Sequence, residues 1–275
     1  MVNLTVSPQS AVFRVGGVDV GTYVLDDPYK PYLHPLRTPA GHVVSLAKPY
    51  DHRHHKGLMY AIATEEVNFW EEEGDERYPR IGRQQQVGIE FDFSVGHPEV
   101  RQDLSWVDDL DAEIFHESRT IGCELLDSTT IRWTWASRIE SMRTQRLRMS
   151  PWSMPDESGR LVNYHGLGLR FPRSFSGRPQ RMQVRTDAGE STVAAVHGRV
   201  LPAVEVRGVI DGTWPAPTAG VSIRQLDTQH QFFLLSDTFV SLSTGPSVAG
   251  PVDLSAGDVF SQTYQIDVSD FPEAD

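Results

Sequence analysis

The sequence predicts an all-β protein, a large antiparallel β-sandwich of one domain spanning residues 1–275. Two observations carry this. Short runs rich in Val, Ile, Thr, Phe, Tyr and Trp recur at close intervals, each bounded by Gly, Pro, Asp or Asn, as in hairpin-linked strands. Several runs alternate apolar and polar residues with a period of two, which gives a strand one buried face, while helical spacing is scarce.

In chain order, Val12–Val15 and Val18–Leu25 flank Gly16-Gly17, a two-residue turn that predicts a hairpin. The segment Asp26–Gly41 holds four prolines in sixteen residues, too many for the interior of a paired strand. It reads as an extended segment and loop leading to a strand at Val43–Leu46. Leu58–Thr64 and Val67–Trp70 are strand-like, and the acidic run Glu71–Glu76 reads most simply as a solvated loop. Three long strands are expected near Gln84–Ser94, Ile114–Leu126 and Thr129–Ile139. Trp133 and Trp135 share a face of the last and suit the core at least as well as a ligand. Arg143–Trp152 is mixed and basic, with no clear element. Further strands are expected at Leu161–Phe171, Gln183–Arg185, Thr192–Val196, Ala203–Ile210, Gly220–Arg224 and Phe232–Leu235. The chain closes with a turn at Ala256-Gly257-Asp258 and a strand from Val259 to Val268. This exceeds the strand count of one immunoglobulin-sized sandwich.

Composition limits the partners. A net charge of −12 and a pI of about 5.3 disfavour nucleic acid and anionic membrane surfaces, which need clustered Lys and Arg. A neutral, polyhydroxylated small molecule fits better. The single cysteine, Cys123, rules out an intramolecular disulfide, suits a reducing cytosol and reads as a small buried apolar residue. With no long apolar stretch and no signal-like N-terminus, the expectation is a soluble, cytoplasmic protein.

The chemistry concentrates in Pro49-Tyr50-Asp51-His52-Arg53-His54-His55-Lys56-Gly57, where three of the ten histidines fall within four positions. Imidazole can ligate a metal or carry protons near neutral pH, and both readings stay open here. In the first, a divalent transition metal such as zinc, iron or manganese is held by His52, His54 and His165, with His34 and His55 as further ligands. An extended loop would put His52 and His54 on one face and His55 on the other. In the second, no cofactor is needed and His54, His165, His52 and Asp51 perform acid/base catalysis on a carbohydrate. Glu205 and Asp237 are candidate carboxylate partners. His34, Arg37, His55, Lys56 and Trp70 would bind substrate, the cations holding developing negative charge and Trp70 stacking on a sugar face.

Two stretches carry a resemblance. His34-Pro35-Leu36-Arg37-Thr38-Pro39-Ala40-Gly41, then Asp51-His52-Arg53-His54-His55-Lys56-Gly57-Leu58, then Asn68-Phe69-Trp70, resemble the bacterial PmoA-like family over about forty residues. This chain has Arg53 where that family usually shows proline and Lys56 where it shows arginine. The label refers to a methane oxygenase subunit embedded in a membrane, and this sequence has no spanning segment to match. More loosely, Pro251–Asp258 before the final strand is similar to the end of galactose-mutarotase-like β-supersandwiches. Asn163-Tyr164-His165 is similar, with a different residue order, to the region that supplies a catalytic histidine in aldose epimerases. This implies a supersandwich that binds sugars in a cleft on one broad sheet.

The functional expectation is a carbohydrate-active enzyme that transfers a proton on a sugar or keto-sugar, as an epimerase, lyase or hydrolase. A noncatalytic carbohydrate-binding protein and a histidine-ligated metalloenzyme of oxygenase type are the alternatives.

Overall fold

Alternation dictates the layers. In the strand Thr130–Ser141, Ile131, Trp133, Trp135, Ser137 and Ile139 are buried, while Arg132, Thr134 and Arg138 turn toward the other face. Each buried tryptophan removes roughly 150–250 Å² from water, worth about 4–6 kcal/mol before entropy is counted. Repeating this pattern builds two large antiparallel sheets in a computed structural model that describes residues 1–74, 76–77, 80–176 and 182–271.

The first sheet has eight strands in the order Val2–Val6, Ser10–Val15, Val18–Val24, Tyr32–Leu36, Leu58–Ala61, Gly166–Arg170, Ser241–Thr244 and Phe232–Leu235. The second has nine, ordered Gly189–Ser191, Met182–Thr186, Ala203–Val209, Thr218–Gln225, Val259–Phe271, Thr130–Ser141, Glu113–Leu125, Glu99–Val107 and Arg83–Asp92. Their inner faces pack together. Phe13 of the first meets Trp133 of the second edge-on at 4.9 Å between ring centres, and Tyr60 meets Trp106 at 6.3 Å. Between the layers Glu117 is fully buried and accepts from Arg119, from Trp106 Nε1 at 2.8 Å and from Ser137 Oγ at 2.6 Å. Hydrogen bonds on all sides are what a charge pair needs at such depth.

The expected all-β sandwich and the Gly16-Gly17 hairpin are present, both glycines adopting positive φ. Four local expectations are corrected. Tyr32–Leu36 is a strand paired on both sides despite Pro35, because the register shifts opposite His34-Pro35 and leaves the proline outside the ladder. Val43 forms only an isolated bridge with Arg37 instead of opening a strand. Val193–Val196 is a single helical turn rather than a strand, capped by Thr192 Oγ1, which accepts from Ala195 N at 3.1 Å. Glu99–Val107 is a strand that the sequence did not announce, its Arg, Gln and Asp obscuring the buried Val100, Leu104 and Trp106. Among the described residues no helix is long and apolar enough to cross a membrane.

Candidate active site

The histidine loop is folded rather than extended. Lys48 N donates to the His55 carbonyl at 2.7 Å and closes its base, while His52 N reaches the Pro49 carbonyl at 3.1 Å and His55 N the His52 carbonyl at 3.0 Å. These turns cancel the alternation expected of an extended chain. All three rings therefore gather: His52 and His55 stack at 4.9 Å, and His54 meets His55 edge-on at 4.6 Å.

A second turn supplies the partner. Asn68 is fully buried and its Oδ1 accepts from Trp70 N at 2.8 Å and Glu71 N at 3.1 Å, an Asx turn that swings both side chains inward. Trp70 then lies on the outer face of the eight-stranded sheet, over Gly168. A Cβ at Gly168 would stand 2.5 Å from the Trp70 ring, so only glycine admits the indole here. The ring continues to Tyr164 at 5.1 Å and His165 at 5.6 Å.

These two turns meet at His54 and Glu71. His54 Nδ1 lies 2.9 Å from Glu71 Oε2, with both side chains mostly enclosed. Burial would raise the Glu71 carboxyl, but the hydrogen bond and charge of His54 outweigh it and hold Glu71 below its usual range. The carboxylate is thus the acceptor, Nδ1–H the donor, and Nε2 the nitrogen left for a ligand. On its other side Tyr164 Oη donates to Glu71 Oε1 at 3.3 Å and sits 2.6 Å from Ser150 Oγ. Four side chains from three loops fix one imidazole.

The remaining charges brace the loop. Asp51 takes Arg173 at 2.7 Å and lies 3.2 Å from His52 Nδ1, within ion-pair distance but off hydrogen-bond angle. Arg170 is buried against Phe239, 3.4 Å from the ring centre, and burial lowers its pKa to about 10. It can only donate, so its contact with His55 Nδ1 at 3.4 Å marks that ring as neutral. Burial and the neighbouring His54 charge push His55 well below its ordinary value. Beneath the loop Lys56 is fully buried, paired with Asp27 and with Glu72 at 2.5 Å. Lys30 reaches Glu72 at 3.1 Å and the Trp70 carbonyl at 2.7 Å, and burial lowers its pKa to about 8.

Two clefts open on either side of this ridge. One, of about 660 Å³, is lined by charged and hydroxyl-bearing groups including Asp27, Tyr29, Lys48, Arg53, Lys56 and Glu73. The other, of about 340 Å³, is walled by Trp70, Met154, Tyr164, Phe233, Leu235 and Phe239. His52, His54, Glu71 and Trp152 line both.

A family model described as a family of unknown function, DUF6807, matches residues 10–273. The chain belongs to the DUF6807 family. The PmoA-like family that the histidine loop resembles is not the one whose model matches. No curated protein matches the DUF6807 chain. Solved structures similar to it include the galactose 1-epimerase of Lactobacillus acidophilus NCFM, at 9% identity over 98% of this chain and 99% of that one, with a TM-score of 0.44. A galactose mutarotase related enzyme from Lactobacillus acidophilus is 8% identical over 100% of this chain and 99% of that one, with a TM-score of 0.38.

In this DUF6807 protein the residues singled out from sequence divide. His52, His54, His55, Asp51, Lys56 and Trp70 come together around the two clefts. His165 does not line either: it is fully enclosed behind Trp70, and burial lowers its pKa to about 3. Neither of its ring nitrogens meets hydrogen-bond geometry, although the Arg148 backbone favours the charged ring. The ligand set His52, His54 and His165 is therefore not assembled. Among the described residues no three His, Cys, Asp or Glu side chains converge as metal ligands do. His34 bonds Ser45 Oγ at 2.8 Å and Arg37 bonds the Gly41 carbonyl at 3.1 Å, and neither lines a cleft beside the histidine loop. Burial, aided by the Arg37 charge, lowers the His34 pKa to about 4. Glu205 pairs with Arg207 at 2.8 Å in the nine-stranded sheet, and Asp237 lines a different cavity. Glu71, Tyr164 and Phe239 were missed. Glu71 hid in an acidic run that reads as solvated; the signal for it was Asn68, whose turn buries Glu71 and Glu72, while Asp75 of the same run lies outside the described residues.

Proposed function

We propose that this DUF6807 protein is a carbohydrate-active enzyme that moves a proton on a sugar or keto-sugar, as an epimerase, lyase or hydrolase. One observation carries the reading: His54 is held through Nδ1 by a carboxylate at 2.9 Å, between two clefts large enough for a small ligand. An imidazole so oriented presents the Nε2 lone pair in a fixed direction, and the Glu71 charge stabilises the imidazolium once Nε2 has taken a proton. Tyr164 and Ser150 keep Glu71 in place. Sugar hydroxyls find donors and acceptors at Asp27, Lys48, Arg53 and Glu73 in the larger cleft, and the edge of Trp70 forms part of the apolar wall of the smaller one. His165 serves by filling the space behind Trp70 instead of touching ligand. General acid/base catalysis of this kind contributes roughly 10²–10⁴-fold to rate.

The test is a screen of aldoses, ketoses, keto-sugars and their glycosides by proton NMR and polarimetry, with wild type beside His54→Gln. Turnover by wild type that His54→Gln lacks is the expected result. Sugar binding with no turnover across the panel would leave a noncatalytic binding protein instead.

A further inference from the structure

The two clefts differ in chemistry and share one ridge. On one side of His54 and Glu71 the walls carry Lys48, Lys56, Arg53, Asp27 and Tyr29. On the other they are Phe233, Leu235, Phe239, Trp70 and Met154, with polar groups confined to the ridge, Tyr164 and Ser241. This asymmetry arises from the sheet. Phe233 and Leu235 alternate outward from the edge strand Phe232–Leu235 and stand beside Ser243 and Ser241 of the next strand. Phe239 is folded over them from the connecting loop by its stacking on Arg170 at 3.4 Å. Trp152 and Met154 extend the apolar wall to the rim, where each remains 42% exposed. Arg77 lies over the Trp152 ring at 5.3 Å, and the part-exposed apolar side chains beside the cavity, Leu235, Phe239 and Met154, form a surface that suits an apolar ligand group.

A free monosaccharide would leave most of this wall uncovered. Its hydroxyls would also lose water on the apolar side without partners, at a cost for each unpaired group. An engineered apolar cavity of about 150 Å³ holds one benzene; the apolar cleft, at about 340 Å³, has room for an aromatic ring system. The polar cleft, at about 660 Å³, has room for a sugar. His54 lines both, with Nδ1 held by Glu71.

From this we infer that the substrate is a glycoside of an apolar, aromatic aglycone, with the sugar in the polar cleft, the aglycone against Phe233, Leu235 and Phe239, and the linkage beside His54. The inference rests on the proposed function and specifies its substrate class.

Calorimetric titration tests it on the intact protein. The probes are methyl and phenyl glycosides of glucose, galactose, mannose and xylose, beside the free sugars. For the sugar recognised, replacing methyl by phenyl is expected to lower Kd at least about tenfold, since a phenyl ring buries far more apolar area. Leu235→Ser and Phe239→Ser, both at half-buried positions, are each expected to remove most of that gain while a thermal melt shows the fold kept. Equal affinity for phenyl and methyl glycosides overturns the inference, as does absence of binding across the panel. If a free sugar is turned over by wild type and not by His54→Gln while phenyl brings no gain, the bipartite site falls and the proposed function stands. If phenyl glycosides bind tightly but His54→Gln changes no turnover, the proposed function falls instead.

Discussion

Glu71 Oε2 stands 2.9 Å from His54 Nδ1, joining the histidine loop to the turn that Asn68 builds. Replacing the carboxylate by an amide keeps the shape and removes the charge that stabilises a protonated ring. Glu71→Gln is therefore expected to lower kcat by about 10- to 100-fold, within the range of a general-base contribution. Its Tm should stay within a few degrees. Steady-state kinetics beside a thermal melt separates the two, and an unchanged kcat would remove Glu71 from the chemistry.

Gly168 is the floor beneath Trp70. Gly168→Ala puts a methyl 2.5 Å from the indole in a position with no slack, so the ring or the strand must shift. Overpacking of this kind costs about 1–3 kcal/mol, read as a lower urea midpoint. Ligand affinity should fall with it, because Trp70 forms the wall.

Lys56 anchors the same region from below, between Asp27 and Glu72. Lys56→Met leaves two carboxylates facing a buried apolar group, and breaking such a pair costs roughly 3–5 kcal/mol. A loss below about 1 kcal/mol in denaturant unfolding would show that Lys30 and Lys48 compensate.

Acid should destabilise the fold partly through His165. Its folded pKa, near 3, lies below the unfolded value, so the folded state binds fewer protons between the two. Its contribution is complete above pH 6.5 and is lost as pH falls toward 3, by up to about 1.4 kcal/mol per pH unit. His34, near 4, adds in the same direction. His165→Phe removes a buried ring whose nitrogens lack hydrogen-bond geometry, and is expected to be as stable as wild type at pH 8 and more stable at pH 5. Urea melts at the two pH values check the sign.

Much of this was readable before folding. The period-two strands of the nine-stranded sheet write their burial directly into Val, Ile and Trp positions, and clustered histidines at 52, 54 and 55 named the loop that forms the ridge. Other parts were not readable for physical reasons. Pro35 argues against a paired strand unless the register shift opposite it is known, and that shift is set by the neighbouring strand. Glu71 belongs to a run whose charge predicts exposure; only the Asn68 turn, closed by side-chain to backbone bonds, turns it inward. His165 followed by Gly166 reads from sequence as a candidate catalytic histidine, yet its burial depends on Trp70 folding across from ninety-five positions earlier in the chain. Phe239 reaches the apolar cleft through its stacking on Arg170, a contact between loops that no local pattern encodes.

The most direct measurement compares His54→Gln with wild type on the sugar or glycoside found by the screen, with kcat from steady-state kinetics and Kd from calorimetry. If His54 is the proton carrier, kcat falls by about 100-fold or more while Kd changes by less than about fivefold. A His54→Gln protein that turns over substrate at the wild-type rate would contradict the assignment.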